Sequence, residues 1–350
     1  MNKKEVILSV RDLVIQFILR GRKLTPIRKI SMDFYKGECV AIVGESGSGK
    51  SVFAKSFLGM TDKNGYIASG SILFDGKDIA KYKKEKEWLT IRGKKIAMVF
   101  QDPMTSLNPL KIVGEQIAEV LRQHKNLDYA AAKKEALEIL HKVGINEPER
   151  RFKQYPHEFS GGMRQRVVIA IAIACNPDIL VCDEPTTALD VTIQAQILGL
   201  IRQIQKETGI TVIYITHDLG VVANVADRVA VMYAGEVVEH GMCGDIFFNP
   251  QHPYTWALLS SLPQLGVKDE PLYSIDGVPP NLFMEIKGDA FAPRNPKALN
   301  IDFEEAPPYF QVGESHYAKT WLLDPRAPKV APPEAIKRLA AKEEWEVLYA

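Results

Sequence analysis

The stretch GESGSGKS at residues 44–51 constrains the fold more than any other feature of the sequence. It fits the pattern GxxxxGK[ST] without a gap, follows the apolar run ECVAIV and precedes SVFAKSFLGM, which has helical spacing. Glycines let the backbone turn so that several N–H groups point at one anion. The alternative is a glycine-rich turn that arose by chance, but such a turn would not be expected to carry the full motif between a strand and a helix. We therefore assign the following residues to nucleotide binding: Gly44, Glu45, Ser46, Gly47, Ser48, Gly49, Lys50, Ser51 and Val52.

Charged and hydroxyl side chains give this loop its chemistry. Lys50 is expected to reach the β- and γ-phosphates of a nucleotide, and the Ser51 hydroxyl to coordinate magnesium. The run ILVCDEP (179–185) shows no alternation, which predicts a central parallel strand ending in two carboxylates. Asp183 is expected to hold magnesium through water, and Glu184 to orient the attacking water or take its proton. An acidic pair alone is usually an ordinary loop, but after a phosphate loop it indicates phosphoryl transfer.

The order of apolar runs predicts an α/β protein. Strands that alternate with helices favour a sheet with ligands at the carboxyl ends of its strands. Residues 5–19 alternate imperfectly and are predicted as an edge strand, and residues 228–241 as a hairpin around Ala234-Gly235. After about Pro250 prolines concentrate and regular structure thins out, which predicts a C-terminal extension that closes with a helix near 333–348.

Composition limits the classes of partner. A net charge of +1 gives no reason to propose nucleic acid. Four cysteines without CxxC spacing fit a reducing cytosol. The longest uncharged apolar run near the middle, 167–175, has nine residues, whereas a membrane-spanning helix needs roughly 20. If the protein works at a membrane, we expect other chains to supply the spans.

SGGMRQR (160–166) is the most discriminating stretch. A serine and two glycines that open a helix leave bare N–H groups, which can form a second anion site or merely cap the helix. Together with the preceding motifs, the stretch resembles the signature of the ATP-binding cassette (ABC) family. The resemblance implies that two subunits pair head to tail, with each ATP between the phosphate loop of one and the signature of the other. It implies ATP contacts in trans from Ser160, Gly161, Gly162, Gln165 and Asp190.

Further residues match the family pattern in order. Gln101, in VFQDP, resembles the glutamine that senses magnesium and couples to membrane subunits, and would join Ser51 and Asp183 as a metal ligand. Asp190, in ALD (188–190), resembles the loop that crosses the dimer interface, and is also expected to cap the helix from Val191. His217 resembles the switch histidine, which makes Glu184 and His217 the catalytic pair.

Adenine recognition and the fold follow from the same resemblance. Phe17 is the candidate by position to stack on adenine, with a place in the core as the alternative. The implied fold is a P-loop NTPase cassette in residues 1–250, with a mixed sheet and a helical signature subdomain at about 103–175. Residues 251–350 would form the small proline-rich extension.

A closer resemblance covers nearly the whole chain. VGESGSGKS, FQDPMTSLNP, CDEPTTALDVTIQAQI, THDLGVVA and NPQHPYT with LLSSLP resemble the ATPases of oligopeptide and dipeptide permeases, most of all their D-type subunits. This implies a peripheral protein at the cytoplasmic face of the cell membrane that hydrolyses magnesium-bound ATP to power peptide import. The implied partners are a second ATPase subunit of the F type, two transmembrane permeases and, indirectly, an extracellular peptide-binding protein.

One departure concerns metal binding. Many relatives have a pattern like GCxFxxRC in the extension, which binds an iron–sulfur cluster, whereas this chain has GDAFAPRN. Asp289, Asn295, Asp302 and Thr320 stand where those cysteines would be. Without thiolates nothing would hold the cluster, so we predict an iron-free extension.

Two other functions fit the sequence less well. A soluble ABC ATPase that acts on ribosomes or DNA usually has two cassettes or a long coiled-coil insertion, whereas this chain has one cassette and a transporter-type Gln101 loop. A regulatory nucleotide-binding module without hydrolysis is disfavoured by Glu184 and His217.

Overall fold

The computed structural model describes residues 5–187, 189–262 and 275–342. Ala188 and Pro263, which belong to the ALD and LLSSLP motifs, and residues 343–348 of the predicted final helix lie outside these ranges. The strands are, in chain order, β1 (Val6–Leu19), β2 (Arg22–Tyr35), β3 (Cys39–Val43), β4 (Gly65–Phe74), β5 (Lys77–Asp78), β6 (Ile96–Val99), β7 (Ile179–Asp183), β8 (Thr211–Thr216), β9 (Arg228–Tyr233), β10 (Glu236–Met242), β11 (Phe310–Gln311) and β12 (Tyr317–Ala318).

Helices connect most of these strands. They are, in chain order, α1 (Lys50–Ser56), α2 (Glu85–Trp88), α3 (Pro103–Ser106), α4 (Val113–Lys125), α5 (Tyr129–Lys142), α6 (Pro148–Phe152), α7 (Gly161–Ile173), α8 (Val191–Thr208), α9 (Leu219–Val225), α10 (Cys243–Phe248), α11 (Pro253–Ser260) and α12 (Glu334–Lys342). Within the described ranges, no helix has both the length and the apolar character needed to cross a membrane.

The larger sheet has eight strands in the order β11-β12-β10-β9-β3-β8-β7-β6. The five strands from β9 to β6 are parallel, and β10, β12 and β11 add antiparallel pairs. Every residue of β3, β7 and β8 is buried, as expected for parallel strands that are covered on both faces. The predicted mixed α/β sheet is confirmed, and the parallel strands direct their carboxyl ends to one edge.

The smaller sheet is antiparallel and has the order β2-β1-β4-β5. β1 therefore lies between two partners, so the prediction of an edge strand for residues 5–19 is wrong. Its imperfect alternation has another cause: its pairing with both neighbours shifts register between Val10 and Val14. Asp12 in that stretch has a positive φ of 45°. The register shifts break the period of two that a regular strand would show.

Helices α3 to α7 form a layer beside β6. Helix α7 packs against α4, α5, α8 and β6, and its apolar residues join one buried core that includes Val113, Val167 and Ile201. A second core fills the space between the two sheets and includes Ile15, Ile42 and Phe53. The phosphate loop lies at the border of this second core.

The C-terminal extension packs on the large sheet rather than apart from it. The short strands β11 and β12 continue this sheet beside β10, and residues such as Tyr254 and Phe291 form a third core with Val231 and Tyr233 of β9. Turns and short 3₁₀ segments connect these elements, which fits the proline-rich sequence.

Four buried polar residues stabilise the turns of the extension. Asp289, Asn295, Asp302 and Thr320 are each at most 8% exposed. Each accepts a hydrogen bond from a backbone N–H nearby; the donors are Phe291 to Asp289, Lys297 to Asn295, Leu299 to Asp302 and Leu322 to Thr320. In the described part of the chain, no three His, Cys, Asp or Glu residues are arranged to hold a metal ion. The absence of an iron–sulfur cluster stays a prediction.

Candidate functional site

The phosphate loop connects β3 to α1 at the carboxyl edge of the large sheet. Gly44 and Gly49 have positive φ values of 150° and 101°. A Cβ atom at Gly44 would lie 2.1 Å from the Met232 carbonyl oxygen, and one at Gly49 would lie 2.5 Å from that of Pro26. Both positions therefore require glycine, because the loop passes too close to neighbouring backbone for any side chain.

Lys50 lies across the inside of this loop. Its side chain is buried, and Nζ donates hydrogen bonds to the carbonyl oxygens of Gly44 (2.8 Å) and Glu45 (2.9 Å). Burial lowers the pKa of Lys50, although the negative charges of Glu184, Asp183 and Glu45 oppose this effect. The ammonium is thus held where an anion in the loop would meet it, and phosphate oxygens can replace its carbonyl partners.

Ser51 and Asp183 bring the first turn of α1 to the end of β7. The Ser51 hydroxyl donates a hydrogen bond of 2.9 Å to Oδ1 of Asp183. Burial raises the pKa of Asp183, and the hydrogen bond from Ser51 works against that increase. Hydroxyl and carboxylate oxygens are ligands that Mg²⁺ prefers, so this pair fits the predicted cation.

Glu184 follows Asp183 with a positive φ of 46°, a backbone conformation that is uncommon for a non-glycine residue. Its Oε1 lies 3.0 Å from Nδ1 of His217. Its Oε2 accepts hydrogen bonds from Nε2 of Gln101 (2.9 Å) and from the Thr187 hydroxyl (3.1 Å). Partial burial acts to raise the pKa of Glu184, but the hydrogen bonds and charge of His217, with Thr187 and Lys50, hold it below its usual value. Glu184 is therefore an ionised acceptor fixed by three side chains.

These groups open into one cleft of about 720 Å³. Its lining includes most of the residues that the sequence assigned to ATP: Gly44, Glu45, Ser46, Gly47, Gly49, Lys50, Ser51, Val52, Gln101, Glu184 and His217. Ser48 is buried within the loop, and Asp183 reaches the cleft through Ser51. The cleft thus places cationic, amide, carboxylate and hydroxyl groups around one space.

Phe17 does not join this cleft. The residue is 8% exposed, and its ring lies against Gly65, where a Cβ atom would be 2.6 Å from the ring. It belongs to the core between the two sheets. This position does not support the prediction that Phe17 stacks on adenine. Leu24 and Pro26, at the start of β2, line the cleft instead.

The signature residues lie at the start of α7, next to the start of α8. Ser160 accepts a hydrogen bond from the Met163 amide, and Asp190 accepts one from the Ile193 amide. Both side chains cap their helices, and Ser160, Gly161 and Asp190 are exposed. Gly162 is buried, and its Cβ would lie 2.6 Å from Cγ2 of Ile193. None of these residues lines the cleft of their own chain.

Gln165 differs from the other predicted signature residues. The residue is 1% exposed, and neither polar atom of its side-chain amide has a hydrogen-bond partner among the described residues. Since α7 turns this residue into the core, its position does not support a contact with a nucleotide held by another chain.

Sequence reasoning missed several residues around the cleft. Thr187 supports Glu184, and the short motif DEPTT gave no signal of this role. Leu258 and Leu282, from the extension, line the cleft. Tyr254 and Arg294 contact Glu45 of the phosphate loop. Tyr254 lies in the quoted string NPQHPYT, but contacts across more than 200 residues leave no local pattern.

Comparisons with known proteins agree with this geometry. Residues 27–187 match the model of a family described as ABC transporter, and residues 238–301 match one described as oligopeptide/dipeptide transporter, C-terminal region. The second match begins in β10 and covers much of the extension.

Relatives are similar over nearly the whole chain. The oligopeptide transport ATP-binding protein AmiE of Streptococcus pneumoniae is 56% identical over 341 residues, which cover 97% of this chain and 96% of AmiE. The oligopeptide transport ATP-binding protein OppD of Bacillus subtilis is 57% identical over 95% of this chain and 93% of its own length. Among solved structures, the ATP-binding cassette MJ0796, in a dimeric post-hydrolysis state bound to ADP and Pi, is 28% identical with a TM-score of 0.61. It covers 67% of this chain and 98% of its own.

Proposed function

The chain belongs to the ABC transporter family, and from this premise we propose that it binds and hydrolyses ATP to power a membrane importer of oligopeptides or dipeptides. One observation carries the proposal: Lys50, the Ser51–Asp183 pair and Glu184 converge on a single cleft. The relatives are transport ATP-binding proteins, which favours a transporter over a soluble ATPase that acts on ribosomes or DNA.

The side chains of the cleft divide the work of hydrolysis. Lys50 and the loop amides bind the phosphates, and Glu184 accepts the proton of the water whose oxygen attacks the γ-phosphorus. The β–γ bridging oxygen leaves with ADP. His217 and Gln101 hold Glu184 in place at 3.0 Å and 2.9 Å, and His217 can also contact the γ-phosphate. Positioning and charge are what phosphoryl transfer demands of a protein.

Magnesium fits the same cleft. Ser51, Asp183 and Gln101 would hold it, and the cation would neutralise charge on the phosphates. Burial raises the pKa of the Asp183 carboxyl, and a cation bound beside it would stabilise its ionised form, which supports this assignment.

We propose that Ser160, Gly161, Gly162 and Asp190 act on the nucleotide of a second cassette. Three of these four residues are exposed at two neighbouring helix starts, and they lie outside the cleft of their own chain. An exposed helix start offers unpaired N–H groups to an anion. Loss of the γ-phosphate would remove much of the differential affinity for the closed pair and let the two chains part.

The partners and the location follow the family. A second ATPase of the F type, two transmembrane permeases and an extracellular peptide-binding protein would complete the importer, with this chain peripheral at the cytoplasmic face of the membrane. We propose a cassette in residues 1–250, in which α3 to α7 form the helical subdomain, and an extension in residues 251–350.

Crosslinking tests this arrangement. The full chain, purified with the proteins that accompany it from membranes, would carry Ser160→Cys in one cassette and a cysteine at the position of Ser48 in the other. Crosslinks are expected with ATP and magnesium, and a cysteine at exposed Glu334 serves as a control that does not crosslink. Absence of the crosslink in an ATP-loaded complex would refute the head-to-tail pair, and failure to accompany membrane proteins would favour a soluble ATPase.

A further inference from the structure

An ion pair joins the C-terminal extension to the phosphate loop. Nη1 of Arg294 lies 2.7 Å from Oε2 of Glu45, and Nη2 lies 3.1 Å from Oε1. The two bonds form a bidentate arginine–carboxylate contact, which fixes orientation as well as charge. Glu45 is the second residue of the loop, so the extension directly holds the segment that must receive the phosphates.

Arg294 is itself held in place. Its side chain is 5% exposed. Nε donates to the carbonyl oxygen of Asp276 (2.9 Å), Nη2 donates to that of Ile275 (3.2 Å), and Nη1 donates to the Tyr233 hydroxyl (3.2 Å). A guanidinium that is buried and bonded in this way loses little further freedom when it binds Glu45, so the contact acts as a rigid support rather than a surface ion pair.

A second contact joins the same loop to α11. The backbone N–H of Glu45 donates a hydrogen bond of 2.8 Å to the hydroxyl of Tyr254, which is fully buried. The centroid of the Tyr254 ring lies 4.5 Å from the ring centroid of Tyr233 and 5.3 Å from that of Phe291. Glu45 is therefore held at both its side chain and its backbone by residues that the extension anchors.

The extension also lines the cleft. Leu282 lies with Leu24 and Pro26 on its wall, and its carbonyl oxygen accepts a hydrogen bond of 3.1 Å from the Thr25 amide. Pro279 and Pro280 lie beside the loop as well. A nucleotide in the cleft would therefore be in contact with both parts of the chain.

We propose that Arg294 is a positioning residue for ATP, which acts through Glu45. A carboxylate beside a polyphosphate would repel it unless a cation neutralises the carboxylate and holds it aside. Arg294 does both, and so makes the extension part of the nucleotide site. This inference rests on the proposed function, since it concerns the same cleft.

The test compares ATP binding and hydrolysis by the full chain and by Arg294→Gln. The dissociation constant for ATP is expected to rise about tenfold, which corresponds to about 1.4 kcal/mol. KM for ATP should rise by a similar factor while kcat at saturating ATP changes less, because Arg294 does not touch the reacting atoms. Arg294→Lys keeps the charge but not the bidentate geometry. Its dissociation constant for ATP is expected to lie between those of the unaltered chain and Arg294→Gln.

Two further variants separate this role from a general loss of structure. Arg326→Gln removes another arginine of the extension that is bidentate to a carboxylate, that of Asp324, and is expected to bind ATP like the unaltered chain. Glu45→Gln combined with Arg294→Gln should bind ATP more tightly than Arg294→Gln alone, because no unpaired carboxylate then faces the phosphates. A defect in packing would not be relieved by the second change.

The outcomes are distinct. If the unaltered chain binds ATP and Arg294→Gln binds it equally well, or if the double variant is no better than the single one, the role of Arg294 is overturned. If the unaltered chain does not bind ATP at all, the proposed function itself fails.

Discussion

The carboxylate of Glu184 lies 3.0 Å from Nδ1 of His217, although the two residues are 33 positions apart in the chain. Glu184 directly follows β7, and His217 directly follows β8. The strands are parallel neighbours, so their carboxyl ends meet at one edge of the sheet. In the proposed mechanism, Glu184 of this adjacent pair accepts a proton and His217 fixes its orientation. The pair depends on strand order, and short motifs alone do not contain that information.

Replacement of Glu184 by glutamine should separate binding from hydrolysis. The glutamine amide keeps the size of the side chain but cannot take a proton from water, so kcat for ATP hydrolysis is expected to fall at least about 100-fold. The dissociation constant for ATP should change little, because Lys50 and the loop remain. Steady-state hydrolysis and equilibrium binding measure the two effects. Glu334→Gln, at an exposed glutamate, is the control, and normal hydrolysis by Glu184→Gln would show that another residue takes the proton.

Thr187→Val tests the support that the sequence did not reveal. Valine has nearly the shape of threonine but cannot donate to Oε2 of Glu184. Since that hydrogen bond lowers the pKa of Glu184, its loss should raise this pKa. The ionised form would then be lost at a higher pH, and the acidic limb of the kcat profile should move to higher pH. Thr187→Ser keeps the hydroxyl and should leave the limb in place; an unmoved limb in Thr187→Val would mean that the bond is not important.

Lys50→Ala should weaken nucleotide binding. A charge-assisted contact with phosphate contributes about 2 kcal/mol, so the dissociation constant for ATP is expected to rise about 30-fold. Calorimetric titration with ATP measures it directly. Lys81→Ala removes a lysine whose side chain is 82% exposed and should bind normally. Equal affinities for the two variants would contradict the assignment of Lys50.

Motifs that are contiguous in the chain were predictable from the sequence. The phosphate loop and the Asp183-Glu184 pair each follow a buried apolar run, so both the element and the position of the side chains could be inferred. Gln101 and His217 also follow strands of the same sheet, and the structure brings both to Glu184.

Features that depend on distant packing were not predictable. β1 lies between two strands because of pairing with β4, which the alternation of its residues does not encode. The position of Phe17 depends on which face of that strand is covered. Gln165 is turned inward because α7 packs on several sides. Arg294 and Glu45 are 249 positions apart, so no local pattern could relate them.

Asp289 should make the stability of the extension depend on pH. Burial raises the pKa of Asp289 to about 7, although a hydrogen bond from the Phe291 amide works against this. An acid whose pKa is higher in the folded state binds more protons when folded, so its protonation stabilises the fold at low pH and this stability is lost as pH rises through about 7. Asp289→Asn keeps an oxygen for the Phe291 amide but cannot ionise.

The free energy of unfolding should therefore depend on pH differently in the unaltered chain and in Asp289→Asn. Between about pH 5 and about pH 8, the unaltered chain is expected to lose about 2 kcal/mol relative to Asp289→Asn. Denaturant titrations at a series of pH values measure the difference. Asp324→Asn is the control, because hydrogen bonds from Arg326 lower the pKa of that carboxyl to about 2, and it remains ionised throughout the range. Parallel pH curves for the unaltered chain and Asp289→Asn would show that Asp289 is already ionised in the fold.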